Sequence, residues 1–255
     1  MIRKIFQERK PLICYFMAGY PSVEDSLKTA YTLIESGADI LEVGFPFSDP
    51  VADGVTIQVA HEKAVKDGIT PPKVFEITKN IKEKYPNIPL IAMTYYNPIF
   101  KVGEEKFCKM AKDSGIDGFI VPDLPPEEGK NFKETANKLD LSVTFLLAPT
   151  SDEDRIKLVS SMSDDFIYYV SLTGITGERQ TLPWDELREK LSLVRKITDK
   201  KVAVGFGVSK GEHAKIISQI ADGVIVGSAI VRLQGKKDFE SLKNLVQELK
   251  SNIEV

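Results

Sequence analysis

Ser36-Gly-Ala-Asp-Ile-Leu-Glu-Val-Gly44 is the stretch on which the fold turns. It reads as a helix end, a turn at Gly37, an Asp, and then a short apolar strand. The same form returns as SGIDGFIVPD from Ser114 and as IADGVIVGS from Ile220. Gly37 and Gly115 fit helix C-caps, where a left-handed residue stops the helix and swings the chain into the next strand.

On that template, apolar strands are expected near 12–17, 39–43, 89–94, 117–121, 142–147, 166–170, 202–204 and 223–226. Helices are expected near 22–36, 55–68, 71–84, 103–114, 127–138, 152–161, 184–198 and 209–220, with further helix near 236–251. Ser22, the Thr70-Pro71-Pro72 run and Thr150 to Glu153 supply helix-start chemistry, since Ser and Thr cap and Pro suits the first turn. The acidic run Asp152 to Asp154 is read as such a start. Strand followed by helix, eight times over, selects a TIM (β/α)8 barrel, a single domain over 1–255 with extra helices. A doubly wound sheet is the alternative, but it needs edge strands, and none of the eight is polar or blocked by Pro.

The 255 residues are 42% hydrophobic and 28% charged, with a formal net charge of -3 and dispersed cations. That balance gives neither a nucleic-acid stripe nor a basic membrane-facing helix. The N-terminus lacks the apolar core of a signal peptide, and the longest apolar run, Leu12 to Ala18, falls far short of the roughly 18 residues of a membrane span. A cytoplasmic protein is expected. Cys14 and Cys108 lie far apart without clustered His, so neither a metal site nor a disulfide framework is indicated.

The chemistry is concentrated in Leu41 to Gly54, LEVGFPFSDPVADG. Glu42 interrupts an apolar strand, and Asp53 follows on the loop beyond, at the end where a barrel builds its active site. Burial raises a Glu pKa toward neutrality and suits it to give and take a proton. Position alone leaves open a buried Glu held by Lys or Arg. Three glycine-rich turns follow late strands: Thr173 to Gly177, Gly205-Phe206-Gly207 and Val226-Gly227-Ser228-Ala229. Glycine amides approach an anion closely, and a helix starting at Gly227-Ser228 would aim its positive end there, so the three together indicate a phosphate site. GFGVSKG from Gly205 has one residue too many for GxGxxG, and no nucleotide-binding GxxxxGK[ST] occurs. Tyr15, Tyr95 and Tyr168 fall near strand ends, where lining a mouth and packing on helices are both open readings. His61 and His213, among charged neighbours, read as surface helix residues.

The residues of Leu41 to Gly54, with TGITG, GFGVS and GSAIV later in the same order, resemble the alpha subunit family of tryptophan synthase across essentially the whole chain. The resemblance implies cleavage of indole-3-glycerol phosphate to indole and glyceraldehyde 3-phosphate in tryptophan biosynthesis. By position it makes Glu42 the acid/base, Asp53 the group that holds the indole N–H, and Tyr168 the residue that orients Glu42. It assigns the phosphate to Gly177, Phe206, Gly207, Gly227 and Ser228, and the indole pocket to Tyr15, Tyr95, Ile120 and Ile225. Thr176 would help close the site, with loops 46–53 and 172–186 as lids. It also implies no cofactor in this chain and a pyridoxal-phosphate-dependent beta subunit as partner in an αββα heterotetramer. Tyr15 replaces a Phe common in the family, and Val55 a Pro. A lyase acting alone and a barrel that only activates a partner are the competing functions, and the retention of Glu42 and Asp53 opposes the second.

Overall fold

The computed structural model describes residues 1–170, 184–205 and 207–253. Nine parallel segments, β1 (Leu12–Met17), β2 (Ile40–Gly44), β3 (Leu90–Met93), β4 (Gly118–Ile120), β5 (Ser142–Thr144), β6 (Leu146–Leu147), β7 (Phe166–Val170), β8 (Lys201–Gly205) and β9 (Gly223–Val226), form one sheet. Its order is β5-β4-β3-β2-β1-β9-β8-β7-β6. The first and last of that order are separated in the chain by Phe145 alone, so the sheet rolls up into a nearly closed eight-position barrel rather than the linear doubly wound alternative.

The strand expected at 142–147 is therefore interrupted. The Phe145 amide leaves the ladder and donates to Ser163 Oγ at 3.1 Å, while the Phe145 carbonyl takes the Tyr168 amide at 3.2 Å. The chain ends in Ser228–Lys236 and Phe239–Ser251, near the two helix positions expected there. Two helices depart from expectation: Tyr96–Val102 precedes Glu104–Asp113, and Ile2–Glu8 is a helix the sequence reading did not foresee. Its Ile2, Ile5 and Phe6, spaced to share one face, pack with Ile13, Ile40, Ile91, Phe166, Ala203 and Ile225 in the barrel interior. Phe6 stacks on Phe166 with centroids 4.9 Å apart, closing the N-terminal end.

The quoted repeat acquires a physical meaning at that end. The Asp39 amide donates to the Leu12 carbonyl at 2.9 Å and its carboxylate takes the Leu12 amide at 2.8 Å. Asp117 does the same to Leu90, Asp164 to Val143 and Asp222 to Val202, with carboxylate-to-amide distances of 2.9, 2.8 and 3.0 Å. Each carboxylate also faces a cation: Arg9 and Lys250, Lys82, Lys133, and Lys201 in turn. An odd-position strand is thus tied at its first residues to the Asp that precedes the next strand. Gly37 and Gly115 take φ of 112° and 84°, the left-handed caps that present Asp39 and Asp117 to these contacts. Ser22 and Asp152 cap their helices through the amides of Asp25 and Arg155.

Candidate active site

At the opposite, C-terminal end the strand register lines up the chemistry. Tyr15 on β1, Glu42 on β2 and Ile91 on β3 are successive register partners, so all three side chains face the interior. One step further along, Met17, Gly44 and Met93 form the next row, and Met93 continues to Ile120. Glu42 has no exposed surface, and neither carboxyl oxygen has a hydrogen-bond partner among the described residues. No Lys or Arg side chain among them pairs with it, as the reading of an ion-paired core Glu would require. Burial, with the Asp53 carboxylate adding to it, pushes its pKa up to about 8.

Two tyrosines flank this carboxyl. Tyr15 is buried, and a Cβ on Gly44 would collide with its hydroxyl end, so the glycine leaves the space the ring fills. Tyr168 on β7 lies across the barrel, partly buried, with its hydroxyl 2.7 Å from where a Cβ on Gly205 would sit. Both phenols are held well above their ordinary pKa, first by desolvation and then by the fields of Asp53 and Glu42. They therefore stay neutral beside the two carboxyl groups.

Asp53 is placed by the loop after β2. Its amide donates to the Pro50 carbonyl at 3.1 Å, and the Asp53 carbonyl accepts from Gln58 Nε2 at 2.7 Å. Its carboxylate receives the Tyr95 hydroxyl at 2.7 Å and meets His61 Nε2 at 3.1 Å, both on Oδ2. The Tyr95 oxygen also takes the Ala52 amide at 3.0 Å, and the Tyr95 ring stacks on Phe47 at 5.1 Å. Burial, then Asp53, raises the Tyr95 phenol far above its usual range, which keeps it a donor.

His61 corrects the sequence reading. On the helix Val55–Lys66 it lies on the inner face with Ala60 and Ala64 and is 2% exposed, not a surface residue. The charged neighbours Glu62 and Lys63 obscured a stripe at 57, 60, 61 and 64 that helical spacing alone would have revealed. His213 is half-buried against Trp184, with ring centroids 5.7 Å apart. Phe47 and Met93, which line this region, carried no distinguishing signal in the sequence.

The phosphate candidates are placed in part. The helix Ser228–Lys236 starts after β9 as expected, and a Cβ on Gly227 would lie 3.7 Å from Tyr15 Cβ. The amino end of that helix, with Ser228 in its first turn, therefore adjoins Tyr15, the register neighbour of Glu42. Gly207 takes φ of 43°, open to glycine. Ile120 and Ile225 are buried in the interior cluster, a floor beneath the mouth. Thr176, Gly177 and Phe206 lie outside the described residues, as does most of the expected lid 172–186. Among the described residues no group of three or more His, Cys, Asp or Glu side chains is arranged to hold a metal ion.

A buried acid with no hydrogen-bond partner among the described residues, a second carboxylate fixed nearby, aromatic and apolar neighbours and a helix amino end can together protonate a carbon, stabilise a cation and hold an anion. Comparison with known proteins gives the family of this chain. The family described as tryptophan synthase alpha chain matches residues 2–254. The tryptophan synthase alpha chain of Aquifex aeolicus is 53% identical over 247 residues, 97% of this chain and 94% of the relative. That of Methanocaldococcus jannaschii is 46% identical over 227 residues, 89% and 80% of the two chains. A structure from Aquifex aeolicus superposes with a TM-score of 0.93 at 49% identity, over 100% of this chain and 99% of that one. A Mycobacterium tuberculosis tryptophan synthase structure gives 0.92 at 34% identity, over 100% and 98%. The chain belongs to the tryptophan synthase alpha chain family, lyases that cleave indole-3-glycerol phosphate to indole and glyceraldehyde 3-phosphate in tryptophan biosynthesis.

Proposed function

We propose that Glu42 carries the proton in this cleavage and that Asp53 stabilises the charge it creates. The observation behind the assignment is the carboxyl of Glu42, enclosed in the barrel with no partner on either oxygen among the described residues and its pKa raised to about 8. At neutral pH it is a protonated acid waiting for a base. The indole ring of the substrate lies among Tyr15, Tyr95, Ile120 and Ile225, and its phosphate at Gly177, Phe206, Gly207, Gly227 and Ser228. Glu42 gives its proton to ring carbon C3, and the positive charge passes to the ring nitrogen, whose N–H faces the Asp53 carboxylate. The ionised Glu42 then takes the proton of the side-chain hydroxyl next to C3. As that C–O becomes a carbonyl, the bond to C3 breaks and its electron pair restores the neutral indole. Glu42 ends the cycle protonated, and no water is consumed. Tyr168, neutral and across the barrel, makes no hydrogen bond to Glu42 in this structure and orients it once substrate is bound, and Thr176 helps close the lids.

The alpha chain requires no cofactor of its own for this sequence of proton transfers. We further propose a beta subunit holding pyridoxal phosphate as partner, in an αββα assembly that receives the indole directly. Val51, Val55, Val59 and Phe100 are exposed around the loops and helices that follow β2 and β3, an apolar rim that suits burial against such a partner. Among the described residues no helix is long and apolar enough to cross a membrane, and we place the enzyme in the cytoplasm.

The test is indole release from indole-3-glycerol phosphate by the purified chain, with and without the beta subunit. Weak turnover alone and a sharp rise on adding the beta subunit are expected. Full activity of the isolated chain, unaltered by the partner, would contradict the assembly.

A further inference from the structure

His61 makes two hydrogen bonds that together fix its proton and bind a loop. Its Nδ1 accepts the Phe47 amide at 3.0 Å, so that nitrogen carries no proton and the ring N–H sits on Nε2. Nε2 then donates to Asp53 Oδ2 at 3.1 Å. One imidazole, 3% exposed in its side chain, thus spans both ends of the 46–53 loop, from the backbone at Phe47 to the carboxylate at Asp53. The Tyr95 hydroxyl occupies the same oxygen at 2.7 Å. Oδ1 takes no hydrogen bond from the described residues, so it is the oxygen left to meet a ligand.

We propose that His61 is a positioning residue for the cleavage: by occupying Oδ2 and tying Phe47 to the helix behind it, it presents Asp53 Oδ1 to the substrate ring nitrogen and holds the loop in its working place. This rests on the role given to Asp53 above. His61 itself touches no reacting atom. Its work is done before the substrate arrives, by removing the rotations that would let the carboxylate turn away or the loop lift from the rim.

His61→Leu keeps most of the volume and removes both bonds. His61→Gln keeps a donor and an acceptor at comparable reach. Each is measured for kcat and KM on indole-3-glycerol phosphate and for inhibition by glyceraldehyde 3-phosphate, which has the phosphate but no ring. The leucine variant is expected to lose about tenfold in kcat, the loss of one hydrogen bond to a charged group. Its inhibition by glyceraldehyde 3-phosphate should stay native, and the glutamine variant should recover most of the rate. Added to Asp53→Asn, the leucine change should cost nothing more. If the leucine protein does not fold, His61→Asn, one methylene too short to span both partners, takes its place. Native kcat in the leucine variant while Asp53→Asn is inactive would overturn the His61 role alone. Native kcat in Asp53→Asn would overturn the Asp53 reading, and this proposal with it. Equal losses in the leucine and glutamine variants, with weakened inhibition by glyceraldehyde 3-phosphate, would show general damage to the fold and overturn it as well.

Discussion

Tyr15 and Glu42 stand side by side in register on adjacent strands, yet the buried carboxyl makes no hydrogen bond to the tyrosine hydroxyl. The phenol reaches past it, over Gly44. Tyr15 is therefore wall rather than proton relay, and the polar tip that distinguishes it from a phenylalanine lies where Gly44 makes room.

That geometry separates two substitutions. Tyr15→Phe should leave kcat within about twofold, because no hydrogen bond to Glu42 is lost. Gly44→Ala puts a methyl group into the Tyr15 ring and should raise KM about tenfold and destabilise the fold by about 1–3 kcal/mol, the cost of overpacking. Steady-state kinetics and urea unfolding of the pair check both.

Tyr95→Phe removes the donor to Asp53 Oδ2 and the acceptor for Ala52. The ring and its stacking on Phe47 remain. We expect kcat to fall about tenfold through the lost charged hydrogen bond, with little change in inhibition by glyceraldehyde 3-phosphate. A parallel loss of inhibitor affinity would place Tyr95 in general loop stability instead.

The raised pKa of Glu42 fixes two pH dependences. The proposed cycle starts from its protonated form, so kcat/KM should be level below about pH 8 and fall above it. Stability follows the same group. Between its ordinary 4.5 and about 8 the folded chain holds a proton that the unfolded chain has released, so this contribution is whole below pH 4.5 and is lost as pH rises to 8. The stability of the native chain relative to Glu42→Gln should decline across that window and level off beyond it, as thermal unfolding from pH 4 to 9 can show.

At the other end of the barrel the aspartate ties should matter to stability and not to chemistry. Asp117→Ala strips the Leu90 amide of its acceptor and Lys82 of its ion pair. A loss of about 1–3 kcal/mol in urea unfolding is expected, with native kcat. A large fall in kcat at full stability would contradict this division of labour between the two ends.

The barrel was legible because its repeat is local. A helix cap, an Asp and an apolar strand recur with the same spacing, and the Asp39, Asp117 and Asp222 contacts explain why the repeat has that form. The fourth tie, at Asp164, was hidden because Asp165 stands between it and the strand starting at Phe166, whereas Asp39, Asp117 and Asp222 each directly precede their strands. Glu42 was legible from its own incongruity, a charge in an apolar strand. The Ile2–Glu8 plug was missed because three apolar residues among charges say little until the barrel gives them something to cover. His61 was missed for a related reason: flanking charges suggested solvent, whereas one helix turn decides which side faces the core. The break at Phe145 depends on a distant Ser163 hydroxyl, which no strand pattern records.

The most direct measurement is turnover of indole-3-glycerol phosphate by Glu42→Gln, alongside binding of glyceraldehyde 3-phosphate to the same protein. A neutral amide of equal size preserves the pocket and cannot donate and recover a proton, so cleavage should vanish while the phosphate ligand still binds. Cleavage at the native rate in that variant would contradict the assignment of Glu42 as the proton carrier.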